Sequence, residues 1–336
     1  ANALLAQGIK ARARVAILAK DSLKSYEILF ACAKIKAVLV PINWRLAASE
    51  VSYILNDAEV ELLFVGSEFH DLVKSIESEL TNIKTFVTTE KTAANWLDYT
   101  DWCQQYSDVS PEIAIAPDDV VVQLYTSGTT GRPKGVQLGH YSFFAVAKEW
   151  TRQGQNWLNW QQTDKSLLVV PFFHIGGLWW AIRGFVAGAE NILLPAFNPI
   201  EVLEVIEKYR ITKAAMVPAM IQVMLLEPQC PETDFSSLAY ILYGGSPIAE
   251  SLLRKAMKTF SCDFVQIYGL TETGNCAVCL PETAHTSSNT NLLKSAGQPF
   301  PGVSVAIVDS AGKKLPPSQI GEIWLKSPAK MLGYWK

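Results

Sequence analysis

The chain has 336 residues, 49% of them hydrophobic and 18% charged, enough apolar material for a core of about two domains and unlike a disordered or acidic solvating chain. A formal charge of -3 at pH 7 leaves no excess of cations to neutralise a nucleic-acid backbone, so a nucleic-acid partner is not expected. The longest apolar stretch, residues 167–182, is broken by Pro171, His174 and the Gly176-Gly177 pair, short of the about 20 uninterrupted apolar residues of a membrane span. Residues 1–36 carry Lys10, Arg12, Arg14, Lys20, Lys24, Lys34 and Lys36 against only Asp21 and Glu27. Peripheral contact with an anionic membrane surface and ordinary solvated helix faces both account for that excess. Asp21 is placed to cap a helix running to about Lys36, with Leu23, Tyr26, Phe30 and Ala33 as its buried stripe. Residues 14–18 and 37–40 read as strands on either side.

The same theme continues through the middle of the chain. Strands are predicted at 120–125, 167–170, 191–194, 212–217, 239–243 and 263–267. Asn198-Pro199 opens a helix with Val202, Val205, Ile206 and Tyr209 on one face, and another helix is predicted from Pro247 to about Phe260. Apolar strands alternating with helices predict an α/β fold of layered parallel β-sheets covered by helices on both faces. From about Pro281 the texture changes. Residues 285–291 are a polar loop by composition, and Val303, Val305 and Ile307 alternate toward a Ser310-Ala311-Gly312 turn and a return strand at 321–326. The expected organisation is therefore an α/β region with two sheets over 1–290, then a small β-hairpin or barrel portion over 291–336.

The six cysteines, Cys32, Cys103, Cys230, Cys262, Cys276 and Cys279, are too sparse for a disulfide framework. No signal-peptide pattern precedes them, so a cytoplasmic setting is the expectation. Cys276-x-x-Cys279 with His285 supplies three ligands where structural zinc usually takes four, and two small apolar thiols are the better reading.

The densest chemical signal is YTSGTTGRPKGV, residues 125–136. Its glycines let backbone amides approach an anion, Thr126, Ser127, Thr129 and Thr130 add hydroxyl donors, and Lys134 adds a full charge against phosphate oxygens. It is not a Walker A loop, because Pro133 precedes Lys134 and Gly135 stands where a magnesium-binding hydroxyl belongs. In QIYGLTETG, residues 266–274, Tyr268 offers a ring for stacking a base, Thr271 a hydroxyl and Glu272 a hard oxygen for magnesium. A strand-to-helix turn with a threonine cap is the plainer alternative. Gly244-Gly245-Ser246-Pro247 alone is a tight turn, and His174 in PFFHIGG is, by itself, more often a satisfied core histidine than a catalyst. All four segments follow predicted strands that end at Tyr125, Val170, Tyr243 and Ile267. Ligands of open α/β sheets bind at the carboxyl ends of strands, so the four are expected to serve one cleft for a nucleoside triphosphate and an apolar substrate.

These segments, together with GQPFPG and GEIWLKSPAKMLGYW and in this order, resemble the adenylate-forming (AMP-binding) superfamily, most of all its fatty acyl-CoA synthetases. The resemblance extends over nearly the whole chain and implies the large N-terminal domain of such an enzyme. It implies an ATP- and Mg2+-dependent acid–CoA ligase, in which a carboxylate attacks the α-phosphate, pyrophosphate leaves, and the thiol of coenzyme A displaces AMP. By the same resemblance, Thr126, Ser127, Thr130 and Lys134 hold the β- and γ-phosphates, Gly128, Thr129 and Gly131 complete the ATP-binding loop, and Gly244, Gly245, Ser246, Tyr268 and Gly269 contact the nucleotide. Thr271 touches the α-phosphate, Glu272 binds magnesium, and His174, Gly176, Trp179, Gly244 and Gly269 line the acyl pocket, with His174 beside the carboxylate. Gly139 stands where the family commonly has threonine. The family's ribose-binding aspartate, its hinge and its C-terminal lid domain with a catalytic lysine are expected beyond Lys336, and its opening segment before Ala1. An aliphatic acid and coenzyme A lead the reading. An aryl-acid ligase, a domain loading a carrier protein and a catalytically idle nucleotide-binding fragment stay open, and a homodimer is one assembly the resemblance allows.

Overall fold

The computed structural model describes residues 1–91, 96–127, 131–154 and 156–336. The chain divides into two compact units, Ala1–Tyr141 with Met331–Lys336, and Ser142–Lys330. In the first, strands β1 (Arg14–Leu18), β2 (Val38–Pro41), β3 (Val60–Val65), β4 (Thr85–Thr88), β5 (Leu97–Asp98), β6 (Val120–Thr126) and β7 (Lys134–Gly139) form one sheet in the order β7-β6-β2-β1-β3-β4-β5. Pairing is parallel from β6 through β5, while β7 returns antiparallel to β6 and Gly333–Tyr334 adds an antiparallel edge on β7. Val15, Leu39, Leu62 and Leu63 are fully buried, as expected for strands covered on both faces.

The first long helix is Leu23–Lys34, and its N-cap is Ser22, whose backbone N–H donates to Ser25 Oγ at 3.3 Å. Asp21 is itself buried one residue earlier, which corrects the expected cap. The buried stripe is also corrected. Tyr26, Ile28, Leu29 and Cys32 face inward, whereas Leu23 is 71% exposed and Phe30 43%. Adjacent rows of this helix are both apolar, so periodicity alone could not choose between them. The basic residues of this region are dispersed over internal partners: Lys24 on the Thr89 carbonyl, Lys34 on Ser110 Oγ, Lys36 on Asp119, and the Arg14 guanidinium over the Trp335 ring at 3.5 Å.

The second unit is built on β8 (Lys165–Leu168), β9 (Glu190–Leu193), β10 (Lys213–Met216), β11 (Tyr240–Gly244), β12 (Asp263–Tyr268), β13 (Val278–Leu280) and β14 (Gln298–Pro299), in the order β14-β13-β12-β11-β10-β8-β9. The five strands from β12 to β9 are parallel, and β13 and β14 are antiparallel additions. The predicted strand at 167–170 lies two residues early, at 165–168, because Pro171 and the turn before it end pairing sooner than apolar content suggests. Asn198 caps the helix Pro199–Tyr209, its Oδ1 accepting from the N–H groups of Ile200 and Glu201. The next predicted helix begins at Glu250 and not at Pro247, leaving 245–249 as an extended turn. The polar run 285–291 is not a simple loop. His285 ends a short helix Glu282–His285 and is buried, and a 3-10 turn follows at Thr290–Lys294. The alternating segments do form an antiparallel hairpin, β15 (Ser304–Val308) against β16 (Glu322–Lys326), with Ala306 opposite Trp324.

The amino ends of β8, β10 and β11 meet at a buried ion pair. Lys213 Nζ lies 2.6 Å from Asp164 Oδ2, with the two side chains 3% and 8% exposed. Asp164 also accepts from Thr212 Oγ1 at 2.8 Å and from the Gln161 N–H at 2.7 Å, so both carboxylate oxygens are hydrogen-bonded. Removing one partner of such a pair is far costlier than removing both, because the survivor is left charged and dry. Lys213→Met should therefore cost about 3–5 kcal/mol of unfolding free energy. Combined with Asp164→Leu it should cost clearly less, as read from urea unfolding of the three proteins. Equal losses in the single and double variants would show that the stranded charge is not the cause.

Candidate functional site

In the first unit the glycine- and hydroxyl-rich segment is the connection of an antiparallel hairpin. Thr126 ends β6 and is the register partner of Lys134, which opens β7. The backbone therefore fixes a hydroxyl and an ammonium across from one another at the hairpin mouth, where the sequence suggested only a loop ending in a lysine. Ser127 and Gly131 are exposed, and Lys134 is half-buried with Nζ 5.5 Å from the centre of the Tyr334 ring. Gly128, Thr129 and Thr130 lie outside the described residues. The base of the hairpin is anchored by Tyr125, whose hydroxyl donates to Asp57 Oδ2 at 2.5 Å and accepts from Gln123 Nε2 at 3.2 Å. Burial, with the Asp57 carboxylate beside it, raises the Tyr125 phenol well above its ordinary range, so it stays a neutral donor. The Asp57 backbone carbonyl in turn accepts from Trp335 Nε1 at 2.8 Å and Lys336 Nζ at 3.0 Å. Gly139, the departure from the family pattern, faces Tyr141. A Cβ there would lie 3.0 Å from Tyr141 Cε1 and 3.1 Å from the Pro117 carbonyl, so a side chain at this position needs its neighbours to shift.

In the second unit three of the predicted segments emerge from one edge of one sheet. β8, β11 and β12 run parallel within it, so the turns that follow them, carrying His174, Gly244–Ser246 and Tyr268–Glu272, all leave from the carboxyl edge. Gly244 pairs with Ile267 in the β11–β12 register, which sets Gly245 and Ser246 beside Tyr268. Gly245 and Ser246 are exposed, Tyr268 is half-buried, and its carbonyl accepts from the Ala277 N–H at 3.0 Å. Gly269 is demanded by close approach: a Cβ there would fall 1.6 Å from the Asn275 carbonyl oxygen. Thr271–Thr273 form a single 3-10 turn, not the start of an α-helix, with Thr273 Oγ1 accepting from the Leu270 N–H at 2.9 Å. Thr273 therefore does the capping and is buried, while Thr271 and Glu272 are half-buried. His174 is exposed at the N-cap of the helix Ile175–Ala187, its ring 4.5 Å from that of Phe173. It is therefore not a core histidine. Gly176 is half-buried on the first turn of this helix, and Trp179, one turn on, is buried.

Glu272 and the Thr271 hydroxyl are hard oxygen donors adjacent in sequence, and no group of three or more His, Cys, Asp or Glu that could hold a metal occurs among the described residues. That donor set fits an ion held by one carboxylate and completed by substrate phosphates, the usual habit of magnesium. It does not suit zinc. Cys276 and Cys279 are buried, burial pushes the Cys279 thiol up to about 12, and Cys276 is raised well above its ordinary value. His285 spends both ring nitrogens elsewhere, Nε2 at 2.9 Å from the Tyr243 hydroxyl and Nδ1 at 2.9 Å from the Pro281 carbonyl. Sequence reasoning missed this Tyr243–His285 contact, which braces the last buried residues of β11, since residues 42 apart in a polar-looking run carry no pairing signal. It also missed Asn275, a buried residue at φ +82°, although Gly-Asn is a dipeptide that tolerates the left-handed region.

Three turns that leave one carboxyl edge of parallel strands, carrying the exposed His174 and Ser246 and the half-buried Tyr268 and Glu272, mark an α/β protein with its candidate site at that edge. The chain matches the AMP-binding enzyme family over residues 1–335 and belongs to it. It is 45% identical over 336 residues to the fatty acid–[acyl-carrier-protein] ligase ScoC of Streptomyces coeruleorubidus, covering 100% of this chain and 63% of that protein. It is 33% identical over 339 residues to the indoleacetate–CoA ligase of Aromatoleum aromaticum, covering 100% of this chain and 64% of that one. The fold is similar to the inhibitor-bound N-terminal domain of FACL13 from Mycobacterium tuberculosis, with a TM-score of 0.88 and 28% identity over 99% of this chain and 80% of that one. The chain thus spans somewhat under two thirds of the length of the curated relatives it matches.

Burial lowers the His285 imidazole below its ordinary value. Below about pH 6.5 the unfolded chain therefore binds more protons than the folded one, and stability present above that pH declines as pH falls toward the folded value. His140, lowered by burial in the same direction, contributes to the same decline. In His285→Gln, urea midpoints should fall by less than in the parent between about pH 7 and 5, His140 supplying the remainder. An unchanged pH slope would remove His285 from this linkage.

Proposed function

We propose that the protein activates an aliphatic carboxylic acid with ATP and passes the acyl group to a thiol. The observation that carries this reading is the emergence of His174, Gly244–Ser246 and Tyr268–Glu272 from one carboxyl edge of parallel strands, in a chain that also holds a hydroxyl opposite a lysine at a hairpin mouth. Thr126, Ser127, Gly131 and Lys134, with Gly128, Thr129 and Thr130, donate to the β- and γ-phosphates. The Tyr268 ring stacks on adenine, with Gly244, Gly245, Ser246 and Gly269 against the nucleotide. Thr271 donates to the α-phosphate, and His174 orients the acid beside Gly176, Trp179, Gly244 and Gly269.

A carboxylate oxygen attacks the α-phosphorus, the bond to the bridging oxygen breaks, and pyrophosphate leaves with that electron pair. The thiol sulfur then attacks the acyl carbonyl, and AMP departs with its phosphate oxygen. What the protein contributes to the first step is pre-aimed positive charge and donors around spreading negative charge, which is mostly electrostatic work. Glu272 would hold magnesium, which supplies charge neutralisation at the phosphates when bound. The thiol is that of a carrier protein in the reading we favour, because the relative at 45% identity is a carrier-protein ligase. Coenzyme A is the second reading, supported by the indoleacetate–CoA ligase. A pyrophosphate-release screen of acids on the full-length protein, followed by thioester formation with holo-carrier protein or coenzyme A, tests both steps. Faster transfer to coenzyme A than to any carrier would decide for the second reading, and no release with any acid would overturn adenylation.

Lys134→Ala should keep the fold and lower pyrophosphate release by about 10²–10³-fold, the usual loss for one transition-state donor. Wild-type release from the folded variant would sink this role. Glu272→Gln should raise the magnesium concentration needed for half-maximal release while leaving acid affinity nearly unchanged. An unaltered magnesium titration would return Thr271–Thr273 to a purely structural turn.

A further inference from the structure

The helix Ile175–Ala187 leads away from His174, and its first two glycines have different reasons to be glycine. A Cβ on Gly177 would lie 2.2 Å from the Val170 carbonyl oxygen and 2.4 Å from that of Pro171, so packing against the strand exit forbids any side chain. A Cβ on Gly176 would meet only Val170 Cγ1 at 3.8 Å and Asn275 Oδ1 at 3.9 Å, which are ordinary contacts. Packing therefore leaves Gly176 room for a side chain that it does not have. The space of one missing side chain therefore stands at Gly176, two residues after His174 and bounded by Val170 and Asn275.

One turn further along, the same side of the helix presents Trp179, 3% exposed. Its ring is 5.9 Å from that of Trp157, which stacks on Trp150 at 4.7 Å and meets Phe300 edge-on at 5.3 Å. Trp150 and Phe300 close the group at 4.9 Å, and Trp157 is also hydrogen-bonded to the Cys279 thiol. Four large rings tied together in this way form a rigid wall, since each is held by at least one other ring.

We propose that this aromatic group is the floor of the acid-binding slot and restricts the enzyme to short aliphatic acids. Three helical steps lead from the open position at Gly176 to Trp179, a rise of about 4.5 Å, which accommodates roughly three to five carbons beyond the carboxylate. The inference rests on the proposed placement of the carboxylate at His174. Each methylene added within the slot should raise kcat/KM by about fourfold, and methylenes beyond the floor should lower it, because rigid aromatic packing resists overfilling.

The test is pyrophosphate release by the full-length protein with straight-chain acids from acetate to dodecanoate. The wild type should peak at about four to six carbons, and dodecanoate should be at least tenfold poorer than the best acid. Trp179→Ala should move the optimum to longer acids, and Trp179→Leu, which keeps most of the buried apolar volume, should move it the same way by less. Gly176→Val should lower kcat/KM more steeply for acids longer than propanoate than for acetate, and an equal loss on every acid would overturn the inference. A wild type as active on dodecanoate as on butanoate overturns the inference alone, as does an unshifted optimum in either folded Trp179 variant. No release with any acid overturns the adenylation reading, and the inference with it.

Discussion

Parallel strands share a direction, and that single constraint organises the second unit. Because β8, β11 and β12 all run the same way within one sheet, the segments that follow them emerge together, although His174, Ser246 and Glu272 are far apart in the chain. A polar turn costs little at such an edge, where the strand's last backbone groups already leave the ladder. At the opposite edge of the sheet the starts of β8 and β10 are held together by Asp164 and Lys213, 2.6 Å apart and nearly dry. One end of the sheet is thus closed by a buried, hydrogen-bonded ion pair, while the other presents hydroxyls, a carboxylate and an imidazole.

The first unit solves a different problem, which is how to hold a glycine-rich connection in place. Its hairpin is braced from below by Tyr125, whose hydroxyl is shared between Asp57 and Gln123. Burial keeps that phenol neutral and donating, so the brace does not loosen with pH in the physiological range. The Asp57 carbonyl meanwhile takes Trp335 and Lys336, and Gly333–Tyr334 pairs with β7. The last residues of the chain are therefore part of the support for the hairpin mouth where Thr126 faces Lys134.

Most of the strands were legible because each is a short apolar run bounded by turn residues, and β1, β6, β11 and β12 fall within a residue or two of the sequence reading. Helix faces were less legible. In Leu23–Lys34 two neighbouring rows are both apolar, and only packing against the sheet selects Ile28, Leu29 and Cys32 over Leu23 and Phe30. His285 shows the same limit in reverse: its neighbours are polar, yet Tyr243 and the Pro281 carbonyl make its burial affordable.

The sequence by itself determined the α/β class, the alternation of strand and helix, and the four segments whose glycines, hydroxyls, lysine and carboxylate suit a phosphate-bearing ligand. Those properties are local, carried by residue type and short spacing, and no partner elsewhere in the chain is needed to read them. Only the tertiary structure decided that Lys134 opens a strand opposite Thr126, that Thr273 and not Thr271 caps its turn, and that Gly176 lacks a side chain it has room for while Gly177 could not carry one. Each of these depends on which backbone passes within a few ångströms of which side chain. That distance is set by sheet register and by how each turn folds, which residue type and spacing leave open even where, as for Thr273 and Leu270, the two partners are close in sequence.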